Sequence, residues 1–79
     1  MGLIDVTILN TITGDSYTIG VNDNDSLSFL KFDVEMKCGF RMNHGEQFVF
    51  QGAAMTDKGK NLDEYGIENG STIEVHPKP

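Results

Sequence analysis

The chain has 79 residues, 38% of them hydrophobic and 23% charged, which is enough for one small domain with a thin core. Its net charge of −6 argues against nucleic acid and anionic membrane surfaces as partners, because both repel an acidic domain on average. Cys38 is the only cysteine, so no internal disulfide can form. With no signal-peptide pattern at the N-terminus, the expected compartment is the cytoplasm or nucleus.

The first twenty or so residues alternate between apolar and polar positions, which predicts two half-buried strands. Thr11 to Asp15 supplies turn residues between them, so the segment is predicted to form a β-hairpin. The inward-facing set is Ile4, Val6, Ile8, Tyr17, Ile19 and Val21.

A helix is predicted over residues 26–37. Ser26 is placed as its N-cap and Gly39 as its C-terminal cap. One apolar stripe at helical spacing is expected to lie on the sheet; it comprises Leu27, Leu30 and Val34. Cys38 lies close to the same line and is interpreted as structural.

The second half contains two further strands. Phe48–Phe50 is predicted to be a short strand followed by a turn at Gln51–Gly52. Asn61–Gly66 is predicted to be a loop or short helical turn, and Ser71–Val75 the final strand. The resulting order is β-β-α-β-turn-β.

Two segments of this half resemble the ubiquitin family at a specific spacing. They are Phe48-Val49-Phe50-Gln51-Gly52 and the series Leu62-x-x-Tyr65-x-Ile67-x-x-x-Ser71-Thr72-Ile73. The resemblance implies an α+β, ubiquitin-like β-grasp fold, with a mixed four- to five-stranded sheet and one main helix. Residues 1–76 would form the domain, and residues 77–79 a proline-rich tail or the start of a linker. By the same resemblance, Tyr65 would pack under the preceding loop while its hydroxyl bonds to the backbone.

The resemblance also implies a candidate recognition surface. The apolar patch of ubiquitin falls on Ile12, Val49 and His76, with Gly52 at its border. Two of the three patch positions remain aliphatic, and the third has become polar. Weakened docking on this face is therefore expected.

Other departures from ubiquitin bear on conjugation. The chain ends His76-Pro77-Lys78-Pro79 instead of in Gly-Gly, and a terminal proline is a poor acyl donor. Most chain-forming lysines are also replaced, although Lys31 and Lys37 remain. The leading prediction is a non-conjugated, non-catalytic module that binds proteins of the ubiquitin–proteasome pathway or regulatory partners. It is expected to be monomeric in isolation and to act alone or as part of a larger protein. The alternatives are a modifier whose Gly-Gly lies beyond residue 79 and a structural assembly subunit.

A second apolar stripe on the helix gives a second candidate surface. Phe29, Phe32 and Met36 lie almost opposite the first stripe at about 100° per residue. Aromatic and methionine side chains are typical of docking surfaces. The alternatives to docking are cover by a longer parent chain or by the N-terminal arm, and a rotated helix.

No catalytic or metal-binding pattern is predicted. His44 and His76 do not share metal-ligand spacing with each other or with Cys38, and the glycines are isolated turn residues. The sequence therefore predicts no enzyme activity, no metal and no cofactor.

Overall fold

The computed structural model describes residues 2–79. Its elements are β1 (Leu3–Asn10), β2 (Ser16–Asn22), α1 (Leu27–Cys38), β3 (Gln47–Phe50), β4 (Ala53–Ala54), a 3-10 turn (Asp63–Tyr65) and β5 (Thr72–His76). The predicted hairpin, helix, third strand and short helical turn are confirmed. The final strand begins one residue later than predicted, because Ser71 closes a turn in which its hydroxyl accepts from the Glu68 N–H at 2.9 Å.

Five strands form one mixed sheet in the order β2-β1-β5-β3-β4. β1 pairs antiparallel with β2 and parallel with β5, while β3 lies antiparallel to both β5 and β4. The mixed α+β prediction is therefore confirmed, with the two-residue β4 as the fifth strand.

Both ends of α1 are capped as the sequence predicts. The Ser26 hydroxyl accepts from the Phe29 N–H at 3.2 Å, and Gly39 adopts φ 79°, a left-handed conformation open to glycine. Leu27, Leu30 and Val34 are buried against the sheet.

The core lies between α1 and one face of the sheet. Its fully buried side chains include Ile8, Leu30, Leu62, Ile73, Val6, Val34 and Val75. The Tyr65 hydroxyl donates to the Asp57 carbonyl at 2.8 Å and accepts from the Asp57 N–H at 2.9 Å, so its predicted backbone bonding is confirmed. Phe40 packs beside the helix end, 5.8 Å from the Tyr17 ring centre.

Candidate protein-interaction surfaces

The face of the sheet turned away from α1, the outer face, carries the first predicted surface. Strand alternation points Leu9, Val49, Glu74 and His76 to this side, opposite the core residues between them. A row of paired residues runs across β1, β5, β3 and β4 on this face. Leu9 pairs with Glu74, Glu74 with Val49, and Val49 with Ala54.

Val49 departs from the expectation of an exposed apolar patch. It lies outside the core cluster but is only 8% exposed. Its neighbours on both sides are close, since paired residues on adjacent strands hold their Cβ atoms about 4.5–5.5 Å apart. The expectation that Val49 offers open apolar surface is wrong, because Ala54 and Glu74 flank it.

Ile12 is held at one end of the outer face with 51% of its surface exposed. The Asn10 side-chain oxygen accepts from the Ile12 N–H at 3.0 Å, and the Thr11 hydroxyl donates to the Val75 carbonyl at 2.6 Å. These bonds fix the loop beside the end of β5, next to His76. Sequence reasoning missed Asn10, although an Asn directly before a turn is the usual signal for such a contact.

Gly52 lies in the tight turn between β3 and β4. Gln51 has φ 51° and Gly52 has φ 80°, so both central residues adopt the positive φ of a type I′ hairpin turn. By register, this turn lies toward the other end of the outer face, with Val49 and Glu74 between it and His76.

His76 does not stand alone on this face. Its Nε2 lies 2.6 Å from Glu74 Oε1, and the two side chains are 38% and 41% exposed. Alternation along β5 places both residues on one side, but only the structure shows that they bond to each other. Glu74 was not among the residues predicted for the surface.

The second predicted surface is an open stripe on α1, defined by Phe29, Phe32 and Met36. These side chains are 47%, 55% and 67% exposed. The rings of Phe29 and Phe32 lie 6.1 Å apart. A rotated helix register is excluded, and nothing within residues 2–79 covers the stripe.

The surroundings of Cys38 disfavour nucleophilic chemistry. Burial, and secondarily the charge of Asp33, raises the pKa of the Cys38 thiol, which disfavours the nucleophilic thiolate. Backbone N–H groups of Glu46 itself and of His44 hold the pKa of the Glu46 carboxyl below its usual range.

Within residues 2–79, no three His, Cys, Asp or Glu side chains lie close enough together to hold a metal ion. Nor does that part of the chain hold a helix suited to crossing a bilayer.

Lys37, one of the two helix lysines, is engaged by the sheet. Its ammonium donates to the Gly20 carbonyl at 2.6 Å and pairs with Asp33 at 3.2 Å. The bond covers a backbone oxygen of β2, which is an edge strand.

A mixed five-stranded sheet with one helix packed on it is the β-grasp fold of a ubiquitin-like domain. The family model for the ubiquitin family matches residues 6–79, so the chain belongs to the ubiquitin family. It is 30% identical over 67 residues to Ubiquitin-like protein 1 of Schizosaccharomyces pombe, covering 85% of this chain and 83% of that protein. Domains of this family are generally non-catalytic.

Solved structures agree on the fold. The ubiquitin-like domain of yeast Ddi1 matches with a TM-score of 0.84 at 22% identity, covering 100% of this chain and 93% of that one. A ubiquitin-like domain from Arabidopsis thaliana also gives a TM-score of 0.84, at 26% identity, covering 100% of this chain and 81% of that one.

Proposed function

We propose that this domain is a non-conjugated interaction module that brings itself, or a larger protein carrying it, to proteins of the ubiquitin–proteasome pathway in the cytoplasm or nucleus. The observation that carries the proposal is the accessible outer face of a ubiquitin-family sheet, with Ile12 half exposed on the loop that is bonded to the end of β5. The loss of open surface at Val49 makes this contact smaller than a fully apolar patch and favours modest affinity.

Binding to purified proteasomes tests the partner class and the face together. Ile12→Asp puts a charge on the outer face, and Phe32→Asp puts one on the helix stripe at a similarly exposed position. We expect the wild-type chain to co-sediment with proteasomes, Ile12→Asp to lose binding, and Phe32→Asp to keep it. Absence of wild-type binding would refute proteasomes as the partner, and the reverse pattern of variants would place docking on the helix.

The non-conjugated role is tested separately in lysate. An immunoblot against this domain, prepared with isopeptidases inhibited and repeated after isopeptidase treatment, distinguishes a module from a modifier. One discrete band that treatment does not change supports the module. A ladder that collapses on treatment supports the modifier alternative.

The exposed helix stripe favours a second candidate function, that of an assembly subunit whose stripe packs permanently against a partner. Sedimentation velocity across a hundredfold concentration range tests its simplest form, association between copies. A shift to larger species that Phe32→Asp removes would support assembly through the stripe. A constant monomer mass would refute association between copies of this chain.

A further inference from the structure

A carboxylate occupies the centre of the outer face. Glu74 is the cross-strand partner of both Leu9 on β1 and Val49 on β3, so aliphatic side chains flank it on either side. Its carboxylate is bonded by His76 at 2.6 Å, and the side chain is 41% exposed. The carboxylate is thus open to solvent in the free domain, and any partner that docks on this face covers it.

Covering this acid has a physical consequence for the partner. A carboxylate has about four acceptor positions, and one ring nitrogen fills one of them. A purely apolar partner would strip the remaining water without replacement, which strongly disfavours binding. None of the five strands within residues 2–79 contains Lys or Arg, so apart from His76, which already bonds the carboxylate, the strands offer no cation to take the place of that water.

We propose that Glu74 is the specificity determinant of the outer face, and that it selects a partner segment carrying an arginine among apolar residues. The guanidinium supplies paired donors for the open carboxylate positions, and the apolar neighbours pack on Leu9 and Ile12. The net charge of −6 favours approach of such a segment. The inference rests on the proposed use of the outer face and adds the chemistry of its partner.

The test is a random-peptide display selection on the immobilised chain and, in parallel, on Glu74→Leu. Only peptides that lose binding to Ile12→Asp are kept, which restricts the pools to the outer face. Because an acidic protein attracts basic peptides in general, Glu68→Leu is the matched control. It removes one exposed acid outside the strands and keeps Glu74.

We expect the wild-type and Glu68→Leu pools to share an arginine flanked by apolar residues, and the Glu74→Leu pool to replace it with an apolar residue. Changing that arginine to norleucine in a selected peptide should weaken binding to the wild type at least tenfold. The same change should leave binding to Glu74→Leu unchanged or tighter.

Two other outcomes distinguish a failure of the proposed role of Glu74 from a failure of the proposed use of the outer face. Equal arginine content in the wild-type and Glu74→Leu pools would overturn the role of Glu74 while leaving the outer face as the docking surface. Peptides that are enriched but insensitive to Ile12→Asp would overturn both this inference and the proposed use of the outer face, as would a selection that enriches nothing.

Discussion

Tyr65 holds the loop before it through both hydrogen-bonding roles of its hydroxyl. It donates to and accepts from the backbone of Asp57, while the Lys60 ammonium lies 4.7 Å from its ring centre. Tyr65→Phe keeps the ring and removes both hydroxyl bonds, and water can partly replace them because the loop is exposed. We expect a loss of about 1 kcal/mol in the free energy of unfolding, measured by urea denaturation.

Tyr17→Phe is the matched control for this change, because it removes a hydroxyl from a ring whose contact with Phe40 is retained. It should lower stability less than Tyr65→Phe. Equal losses would mean that the Asp57 bonds do not account for the effect.

The reactivity of Cys38 follows from its surroundings. Burial and the nearby charge of Asp33 raise the pKa of the thiol, and the thiolate is the species that reacts. At pH 7.5 we expect iodoacetamide to alkylate the native chain more slowly than the urea-unfolded chain. Asp33→Asn removes the secondary cause and should speed the native reaction modestly. Alkylation of the native chain faster than the unfolded one would contradict the raised pKa.

Glu74 shows what single-residue sequence reasoning missed. Alternation along β5 suffices to send Glu74 and His76 to the outer face, yet their 2.6 Å bond depends on side-chain geometry. The burial of Val49 could not be predicted for a related reason. It depends on the pairing of β3 with β4 and β5, and the residues next to Val49 in the chain do not indicate that pairing.

The two stripes of α1 should differ sharply in their contribution to stability. Leu30 is fully buried, whereas Phe29 and Phe32 are about half exposed. Leu30→Ala should cost about 2–5 kcal/mol. The double change Phe29→Ala with Phe32→Ala should leave the melting temperature nearly unchanged. A loss on the scale of roughly 3–5 kcal/mol per Phe would mean that the stripe belongs to the core.

The turn between β3 and β4 is strained at one residue. Gln51 has φ 51°, the only positive φ at a non-glycine residue within residues 2–79. Asn tolerates this conformation better, so Gln51→Asn should raise the free energy of unfolding, measured by urea denaturation, by up to about 1 kcal/mol.

Gly52→Ala tests the same turn in the opposite direction. Space is not the issue, since an added Cβ would meet nothing within 4 Å, but φ 80° disfavours any side chain. We expect a loss of about 1–2 kcal/mol. If Gly52→Ala proved neutral, the type I′ geometry would be wrong.

Most elements could be predicted because their signals are local. The period of α1, its caps Ser26 and Gly39, and the alternation in β1 and β2 all depend on residues close in the chain. β4 has two alanines and no periodicity, so only its pairing with β3 defines it. The sequence pattern predicts Ser71 as part of β5. It cannot show the hydrogen bond from the Glu68 N–H to the Ser71 hydroxyl, because that bond does not depend on the spacing of apolar residues.

At the scale of the whole molecule, the C-terminal tail lies beside the loop that precedes β3. The register Gln47–His76, extended by two residues in each direction, brings Lys78 opposite Gly45. A Cβ added at Gly45 would lie 2.9 Å from the Lys78 Cδ and 3.1 Å from its Cγ. The lysine stem therefore lies against the bare backbone of Gly45, within the segment predicted to be a tail or linker.

Gly45→Ala should be more damaging than an equivalent change elsewhere. Gly45 has φ 79° and Gly14 has φ 84°, so alanine at either position costs about 1–2 kcal/mol from the left-handed backbone. Nothing lies within 4 Å of a Cβ at Gly14, whereas at Gly45 the Lys78 side chain must also move. We expect Gly45→Ala to cost about 0.5–1.5 kcal/mol more than Gly14→Ala in urea unfolding.

A double variant isolates the contact between the tail and the loop. In a Lys78→Gly background the side chain that meets the new Cβ is gone, so Gly45→Ala should cost no more than Gly14→Ala. The heteronuclear NOE of the Lys78 amide, the one N–H among residues 77–79, should fall in Gly45→Ala and stay at its wild-type value in Gly14→Ala. If the two alanine variants lost equal stability and left the tail equally ordered, the packing of Lys78 on Gly45 would not be what holds the tail in place.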